Sequence, residues 1–388
     1  MVAGVSLGGA AVAAPTEVQR GAYLFRAADC AACHSAPGGE ALTGGRGFAL
    51  PFGTVHATNI TPDRETGIGA YDDAAWLRVL RTGVARGGKR LYPVMPYPAY
   101  TLMSDADALA IRAYLLTLKP VRAEAVPNDL GFPFNQRWTM VFWNMLNNPD
   151  RRMTPRADRS AQWNRGAYLA EALGHCSQCH TPRTITYGLS GRAYAGAVQV
   201  GWRAYNLTSD REHGLGGWSD ADLAQYLSTG RAVGHGPASG PMAEAVEDSL
   251  RYLTPEDIAA IVVYMRSVPA RAEGPAVASG VLGDVSAGDL GGRVFAQVCA
   301  GCHLPDGRGR QSGWAALAGA HSVADPEGVN LVQVLRSGTA LKTDQGEMFM
   351  HGFTGAYTAP ELAALSDYVL ARFGGVRGRV TEGAFGGK

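Results

Sequence analysis

Six cysteines and nine histidines are the residues best equipped for chemistry in this 388-residue chain, and their spacing selects which of them matter. The cysteines fall in three pairs, Cys30 and Cys33, Cys176 and Cys179, and Cys299 and Cys302; each pair is followed at once by a histidine, His34, His180 or His303. No cysteine is left over. With this composition roughly 0.002 C-x-x-C-H pentapeptides are expected by chance. On a helix, cysteines three residues apart share a face, so both sulfurs can form thioethers with the vinyl groups of one haem while the adjacent histidine reaches its iron. A structural zinc site needs four protein ligands, and no second cysteine pair accompanies each motif. A disulfide or a dithiol redox site leaves the recurring histidine unexplained. The expected cofactor is covalently bound haem c, in three copies.

The sixth iron ligand decides what such a centre does: a His/Met pair gives a closed electron-transfer site, whereas an open position admits peroxide or oxygen chemistry. Met95, in L-Y-P-V-M-P-Y-P, lies 61 residues after His34, and Met242, in G-P-M-A-E, lies 62 after His180. Each also lies 12 residues after a T-G step, Thr82-Gly83 or Thr229-Gly230. This doubled register marks them as ligands rather than packing residues. Near the third motif, Met348 and Met350 both precede Gly352-Phe353; Met350 is the reading adopted and Met348 the alternative. Met103, Met140, Met145, Met153 and Met265 lack counterparts and read as core filler. His56, His175, His213, His235, His321 and His351 share no register and read as surface or hydrogen-bonded histidines, with His351 the one beside a proposed ligand. No nucleophile elbow, phosphate loop or pair of catalytic acids stands out.

Elements to position these groups are repeated along the chain. Arg20-Gly21-Ala22-Tyr23-Leu24 recurs as Arg165-Gly166-Ala167-Tyr168-Leu169, each just ahead of a haem pentapeptide. T-N-I-T-P-D-R-E-T-G-I-G-A-Y (Thr58 to Tyr71) matches Y-N-L-T-S-D-R-E-H-G-L-G-G-W (Tyr205 to Trp218), and V-L-R-T-G (Val79 to Gly83) matches V-L-R-S-G (Val334 to Gly338). Repeats this long indicate duplicated domains rather than solenoid units. Each copy closes on a capping Ser or Thr, an acid three residues on, and a tyrosine seven further: Ser104, Asp107, Tyr114; Thr254, Asp257, Tyr264; Thr358, Glu361, Tyr368. Opening segments around Leu24-Phe25, Tyr168-Leu169 and Val294-Phe295 put apolar residues on one helical face before the first cysteine. The expected fold is all-α: three tandem class I cytochrome c domains with extended loops.

The expected boundaries are a signal-peptide remnant at 1–14, domain 1 at 15–125, an aromatic-rich connector at 126–160, domain 2 at 161–270, a linker at 271–287, domain 3 at 288–374 and a tail at 375–388. The connector carries Phe132, Phe134, Trp138, Phe142 and Trp143 and is expected to pack across the first two domains, the alternative being that these aromatics face a partner. The second linker, Ala270 to Gly288, lacks aromatics and reads as flexible. Residues 1–14 end in A-V-A-A before Pro15 like a secretion signal, which places the haem sites on the periplasmic side. No later stretch reaches the roughly 18 apolar residues that span a bilayer.

Lys and Arg total 35 against 34 Asp and Glu, with no basic run of the kind that binds nucleic acid. Lys89, Lys119, Lys342 and Lys388 are the only lysines, too few for a docking ring that serves many partners. With two propionates per haem, the holoprotein carries roughly −2 charges oxidised and about −5 reduced.

The order C-A-A-C-H, T-N-I-T-P-D, T-G-I-G, L-Y-P-V-M-P-Y-P, N-R-G-A-Y-L, G-H-C-S-Q-C-H-T-P-R and G-P-M-A-E-A-V resembles the three-haem cytochrome c subunit of the membrane-bound alcohol, aldehyde, fructose and gluconate dehydrogenases of acetic acid bacteria and their relatives. The resemblance runs from about residue 18 to 374. It implies a separate large catalytic subunit with flavin, pyrroloquinoline quinone or molybdenum, and ubiquinone as acceptor. It also implies haem ligation by Cys30, Cys33, His34 and Met95, by Cys176, Cys179, His180 and Met242, and by Cys299, Cys302, His303 and Met350. At the last site His351 stands where the family usually has proline. The chain ends on V-T-E-G-A-F-G-G-K where several relatives continue into a hydrophobic anchor, so a peripheral membrane contact is expected. The competing functions are a free multihaem carrier and a haem peroxidase-like enzyme. Thioether attachment predicts that protein denatured and extracted with acid and acetone keeps three haems; a lower mass by mass spectrometry would overturn the motif reading.

Overall fold

A computed structural model describes residues 15–276, 286–310, 313–343 and 346–386. The proposed signal remnant at 1–14 and most of the second linker lie outside the described residues. The described chain is predominantly helical, and three helix crossings organise it. Glu17–Ala27 packs on Asp105–Leu115, Ala161–Tyr168 on Pro255–Arg266, and Leu290–Val294 on Ala359–Gly374.

Each crossing depends on a glycine. A Cβ at Gly21 would stand 1.9 Å from the Ala110 carbonyl oxygen, one at Gly166 1.9 Å from that of Ala260, and one at Gly291 2.1 Å from that of Ala364. All three would also meet the Cβ of the closing tyrosine, Tyr114, Tyr264 or Tyr368, at about its contact limit. The helices therefore touch backbone to backbone, and only glycine allows that approach.

The first two crossings are joined by a reciprocal exchange. Asp107 accepts from Arg20 of its own helix pair at 2.5 Å and from the Tyr168 hydroxyl of the other pair at 2.5 Å. Asp257 accepts from Arg165 at 2.6 Å and from the Tyr23 hydroxyl at 2.5 Å. The same hydroxyls accept from the cap backbones: Ser104 N–H donates to Tyr168, and Thr254 N–H to Tyr23. Residue and partner swap roles, as in a two-fold interface between identical subunits. The acids expected to act in capping boxes are diverted to this seam, while Ser104 and Thr254 still cap through their own side chains. Glu361 of the third crossing keeps the box, accepting from the Thr358 N–H at 2.9 Å.

Burial follows this pairing. One apolar core runs through both of the first two crossings, from Leu24, Phe25 and Ile111 to Leu173, Ile261 and Met265. A second core, with Phe295, Leu362, Leu370 and Phe373, belongs to the third. The third is joined to the second through Arg203, which binds Asp325 at 2.8 Å and Glu327 at 2.5 Å, through Tyr205 stacked on His321 at 4.1 Å, and through Leu341, which is buried in the first core.

Four short antiparallel sheets depart from the all-α expectation. Gly47–Leu50 pairs with Gly53–His56, which also takes Asp129–Leu130; Ala197–Gln199 pairs with Trp202–Ala204; Arg231–Ala232 pairs with Gly236–Pro237. Thr339–Thr343 pairs with Gly346–Met350. These hairpins occupy segments read as loop, because strands of two to five residues are too short for a period-two pattern to register. The connector also departs from expectation in part. Phe134 stacks on Phe52 at 4.2 Å, on the side of the first crossing, while Trp143 lies edge-on to Tyr97 and its indole donates to Thr186 O at 2.8 Å, so Trp143 bridges the first two crossings. Phe132, Trp138 and Phe142 face outward.

Gly166→Ala should cost roughly 3 kcal/mol through overpacking against backbone, read as a lower melting temperature of the holoprotein. Burial pushes the Asp257 carboxyl up, but hydrogen bonds from Arg165 and Tyr23 outweigh it and hold it below its ordinary value. A depressed folded value means the link is present above the unfolded carboxyl pKa and is lost as pH falls through the folded one. Acid should therefore erode stability less steeply in Asp257→Asn than in the parent, as measured by melting temperature between about pH 5 and pH 2.

Candidate functional site

The three C-x-x-C-H motifs sit where an opening helix turns toward a core. Cys30–His34 forms one helical turn of its own, as do Ser177–His180 and Ala300–His303, the first cysteine of each later motif being the residue before the turn. The chain is bent into these turns. Asp29 and His175, the residues just before Cys30 and Cys176, have φ of 53° and 38°, and π-helical turns at Leu169–Leu173 and Phe295–Cys299 precede the second and third motifs. Such single π turns concentrate at functional sites because they rotate the residues that follow.

None of the six cysteines is in a disulfide. Burial and the Glu171 carboxylate push the Cys176 thiol up to about 12, and burial with its neighbour Cys302 pushes Cys299 up to about 11. Redox-active dithiols have the opposite property, a depressed thiol pKa. Among the described residues no group of three or more His, Cys, Asp and Glu is arranged to hold a bare metal ion.

Each motif histidine makes the same hydrogen bond. His34 Nδ1 lies 2.6 Å from Thr58 O, His180 Nδ1 2.6 Å from Tyr205 O, and His303 Nδ1 2.7 Å from Ala315 O. A carbonyl can only accept, so the proton sits on Nδ1 and Nε2 carries the lone pair. Burial holds all three rings below their ordinary pKa, more than the carbonyl bond raises it, so they stay neutral. A neutral imidazole with its far nitrogen fixed by a backbone acceptor is the arrangement that axial histidines need. Two thiols on the same turn and a neutral imidazole with a free Nε2 fit a covalently attached haem.

The acceptor carbonyls give a role to the repeated Thr58-Asn59-Ile60-Thr61 and Tyr205-Asn206-Leu207-Thr208. Asn59 Nδ2 donates to Val121 O at 2.7 Å and its Oδ1 accepts from Thr61 N at 2.8 Å. Asn206 does the same with Arg271 O at 2.7 Å and Thr208 N at 2.8 Å. Each asparagine, nearly fully buried, pins the carbonyl of the residue before it. The recurrence of Asn59 and Asn206 at one register was the signal available. The third site uses Ala315 in the turn Gly313–Ala315 and has no such asparagine.

The proposed sixth ligands follow the capping glycines. Gly83 and Gly230 end the helices Asp73–Thr82 and Asp220–Thr229 in left-handed conformation, and Gly338 ends Val329–Ser337 at φ 76°. Met95 and Met242 are partly buried against the shared core of the first two crossings. Met350 lies 12 residues after Gly338, the spacing seen twice before, and packs on the core of the third crossing. Met348 pairs across the hairpin with Leu341, which is buried in the core of the first two crossings. Both methionines lie on one strand face.

The other histidines divide by place. His213 bonds Asp210 at 3.1 Å, His235 stacks on Trp218 at 3.6 Å, and the exposed His351 rests on Phe349. His175 lies edge-on to Tyr100 at 5.7 Å, in the seam between the first two motifs, and His321 stacks on Tyr205 in the seam between the second and third.

The family model for cytochrome c matches residues 18–119 and 289–372. The chain is 37% identical to the fructose dehydrogenase cytochrome subunit of Gluconobacter japonicus over 95% of its own length and 81% of that protein's. It is 39% identical to the gluconate 2-dehydrogenase cytochrome c subunit of Pantoea cypripedii, covering 85% and 78%. It is 34% identical to the cytochrome c subunit of the quinone-type alcohol dehydrogenase of Gluconobacter oxydans, covering 92% and 78%. With motif turns, oriented histidines and these relatives in agreement, the chain belongs to the cytochrome c subunits of dehydrogenase complexes, which transfer electrons and leave substrate oxidation to another subunit.

Proposed function

We propose that the chain carries three haem c groups in tandem class I cytochrome c domains at 15–125, 161–270 and 288–374. In this reading it relays electrons from the cofactor of a separate catalytic subunit to ubiquinone on the periplasmic side of the cytoplasmic membrane. Its attachment to that membrane is peripheral; no described helix is long and apolar enough to cross one. The observation that carries the proposal is the threefold recurrence of a histidine whose Nδ1–H is committed to a backbone carbonyl beside two cysteines on one turn. Haem c with His and Met axial ligands supplies a reversible one-electron iron couple of relatively high potential.

The protein's part is to hold, orient and shield. Cys30, Cys33, Cys176, Cys179, Cys299 and Cys302 would form the thioethers, and Nε2 of His34, His180 and His303 would bind the iron. Met95, Met242 and Met350 would supply the second protein ligand at each site, and the apolar cores would keep water from it. Contacts between sites favour a linear order. His175, the residue before Cys176, lies edge-on to Tyr100, whose hydroxyl donates to Ala28 O two residues before Cys30, so the first two motifs adjoin. The second motif reaches the third domain through Tyr205, whose carbonyl holds His180 and whose ring stacks on His321. The relatives act with fructose, gluconate and alcohol dehydrogenases, so the partner is taken as an alcohol, aldehyde, sugar or sugar-acid dehydrogenase with flavin, pyrroloquinoline quinone or molybdenum.

Met95→Ala and Met242→Ala should each lower one midpoint potential by on the order of 0.2 V, within the ~0.8 V that axial ligands span, and open that haem to carbon monoxide. Met350→Ala should do so at the third haem while Met348→Ala leaves all three unchanged. Spectroelectrochemical titration reads both results. Variants that titrate like the parent would overturn the ligand assignment, and the reverse result at 348 and 350 would move the third ligand by two residues.

A further inference from the structure

The connector helix Met140–Asn147 is turned inside out. Its polar residues face the protein: Asn144 donates to Thr82 O and accepts from the Tyr97 hydroxyl, and the following Asn148 donates to Arg81 O. Its apolar residues Val141, Phe142, Met145 and Leu146, spaced to share one helix face, point outward, with Met145 77% and Leu146 75% exposed. A surface helix normally buries its apolar stripe and leaves its amides to water. Here hydrogen bonds hold the opposite orientation.

The exposed apolar surface continues beyond the helix. Phe132, earlier in the connector, is 82% exposed, and the loop tethered by Trp143 to Thr186 carries Ile185 at 99%. Tyr187 of that loop meets Phe52, which stacks on Phe134. The chain segments that build this face, 74–104, 130–149 and 172–209, contain no Asp or Glu. They do contain cations: Arg86, Lys89 and Arg90, with Arg137 bonded to Arg90 O, and Arg183 at the base of the Ile185 loop. Burial and the neighbouring Arg137 hold Lys89 below its ordinary pKa, as expected where cations crowd without a carboxylate. The acids at the ends of these segments include Asp105 and Asp150, which pair with Arg81 and Arg152, and the exposed Asp129, so cations predominate along this aromatic face.

We infer that this face is the surface by which the chain lies on a bilayer containing anionic lipid. Phe132, Trp138, Phe142, Met145, Leu146 and Ile185 enter the headgroup and upper acyl region, and the bordering arginines and Lys89 reach phosphates. Charge complementarity favours this occupant over the catalytic subunit: an apolar face bordered mainly by cations matches anionic lipid and offers few carboxylates to the cations of a protein partner. The inference deepens the peripheral attachment proposed above and rests on that reading.

The test uses full-length holoprotein sedimented with vesicles of phosphatidylcholine and phosphatidylglycerol, or of phosphatidylcholine alone. The parent should bind the mixed vesicles more tightly, and the added affinity should fade with salt. The double variant Phe142→Glu, Leu146→Glu should bind more than about tenfold more weakly with an unchanged haem spectrum, whereas Val18→Glu, on the opening helix, should bind like the parent. Equal binding by parent and double variant overturns this placement and leaves peripheral attachment standing. If the parent binds neither vesicle but the double variant fails to co-purify with the catalytic subunit, the face belongs to a protein partner and both membrane readings fall.

Discussion

Three backbone-to-backbone helix crossings are the constraint on which the rest of this molecule depends. At Gly21, Gly166 and Gly291 the opening helix lies against a carbonyl of the closing helix, closer than any side chain would permit. That contact sets the direction in which the opening helix ends, and the C-x-x-C-H turn begins within a few residues of that end. A cofactor attached by thioethers tolerates little misplacement of its two sulfurs, so the precision of the crossing passes directly to the site. The irregular backbone at Asp29, at His175 and in the two π turns makes the remaining adjustment.

From the same starting plan, two kinds of junction have been built. The first two crossings share a core and exchange Tyr23 and Tyr168 across reciprocal acids, so neither can move without exposing a buried carboxylate. Uncompensated buried charge is costly, which makes this seam rigid. The third crossing keeps its own core and meets the second through Arg203, Asn330, a Tyr–His stack and Leu341 buried in the shared core, a contact part polar and part apolar. Its opening helix has no tyrosine in place of Tyr23 or Tyr168, and its acid, Glu361, is free to complete its own cap. The first pair thus behaves as one body, with the third docked upon it.

The surface carries a similar division. Near-zero net charge gives no account of partners when averaged over the chain, yet the acids are absent from the segments that form one face. Local composition rather than net charge decides what approaches such a face, because screening confines each charge to a range of about 10 Å.

What the sequence by itself determined is the class of cofactor. Cys, Cys and His on one helical turn leave few alternatives to covalently bound haem c, the cofactor of the cytochrome c family; the glycine-to-methionine spacing, present at Gly338 and Met350 as well, also lay in plain order along the chain. The helices with clear caps, such as Asp105–Leu115 and Pro255–Arg266, were legible for the same reason: their signals are local. What only the tertiary structure decided is every role that joins distant residues. Asp107 and Asp257 read as capping acids until Tyr168 and Tyr23 arrive from another domain. Asn59 and Asn206 were repeats without a function until the carbonyls they pin met His34 and His180. The outward face of Met140–Asn147 was the hardest to foresee. Its apolar residues would face inward by pattern alone, and hydrogen bonds from Asn144 and Asn148 to a different helix reverse it. Periodicity reports how residues are arranged around an element, whereas the direction in which that element faces is set by contacts that periodicity does not contain.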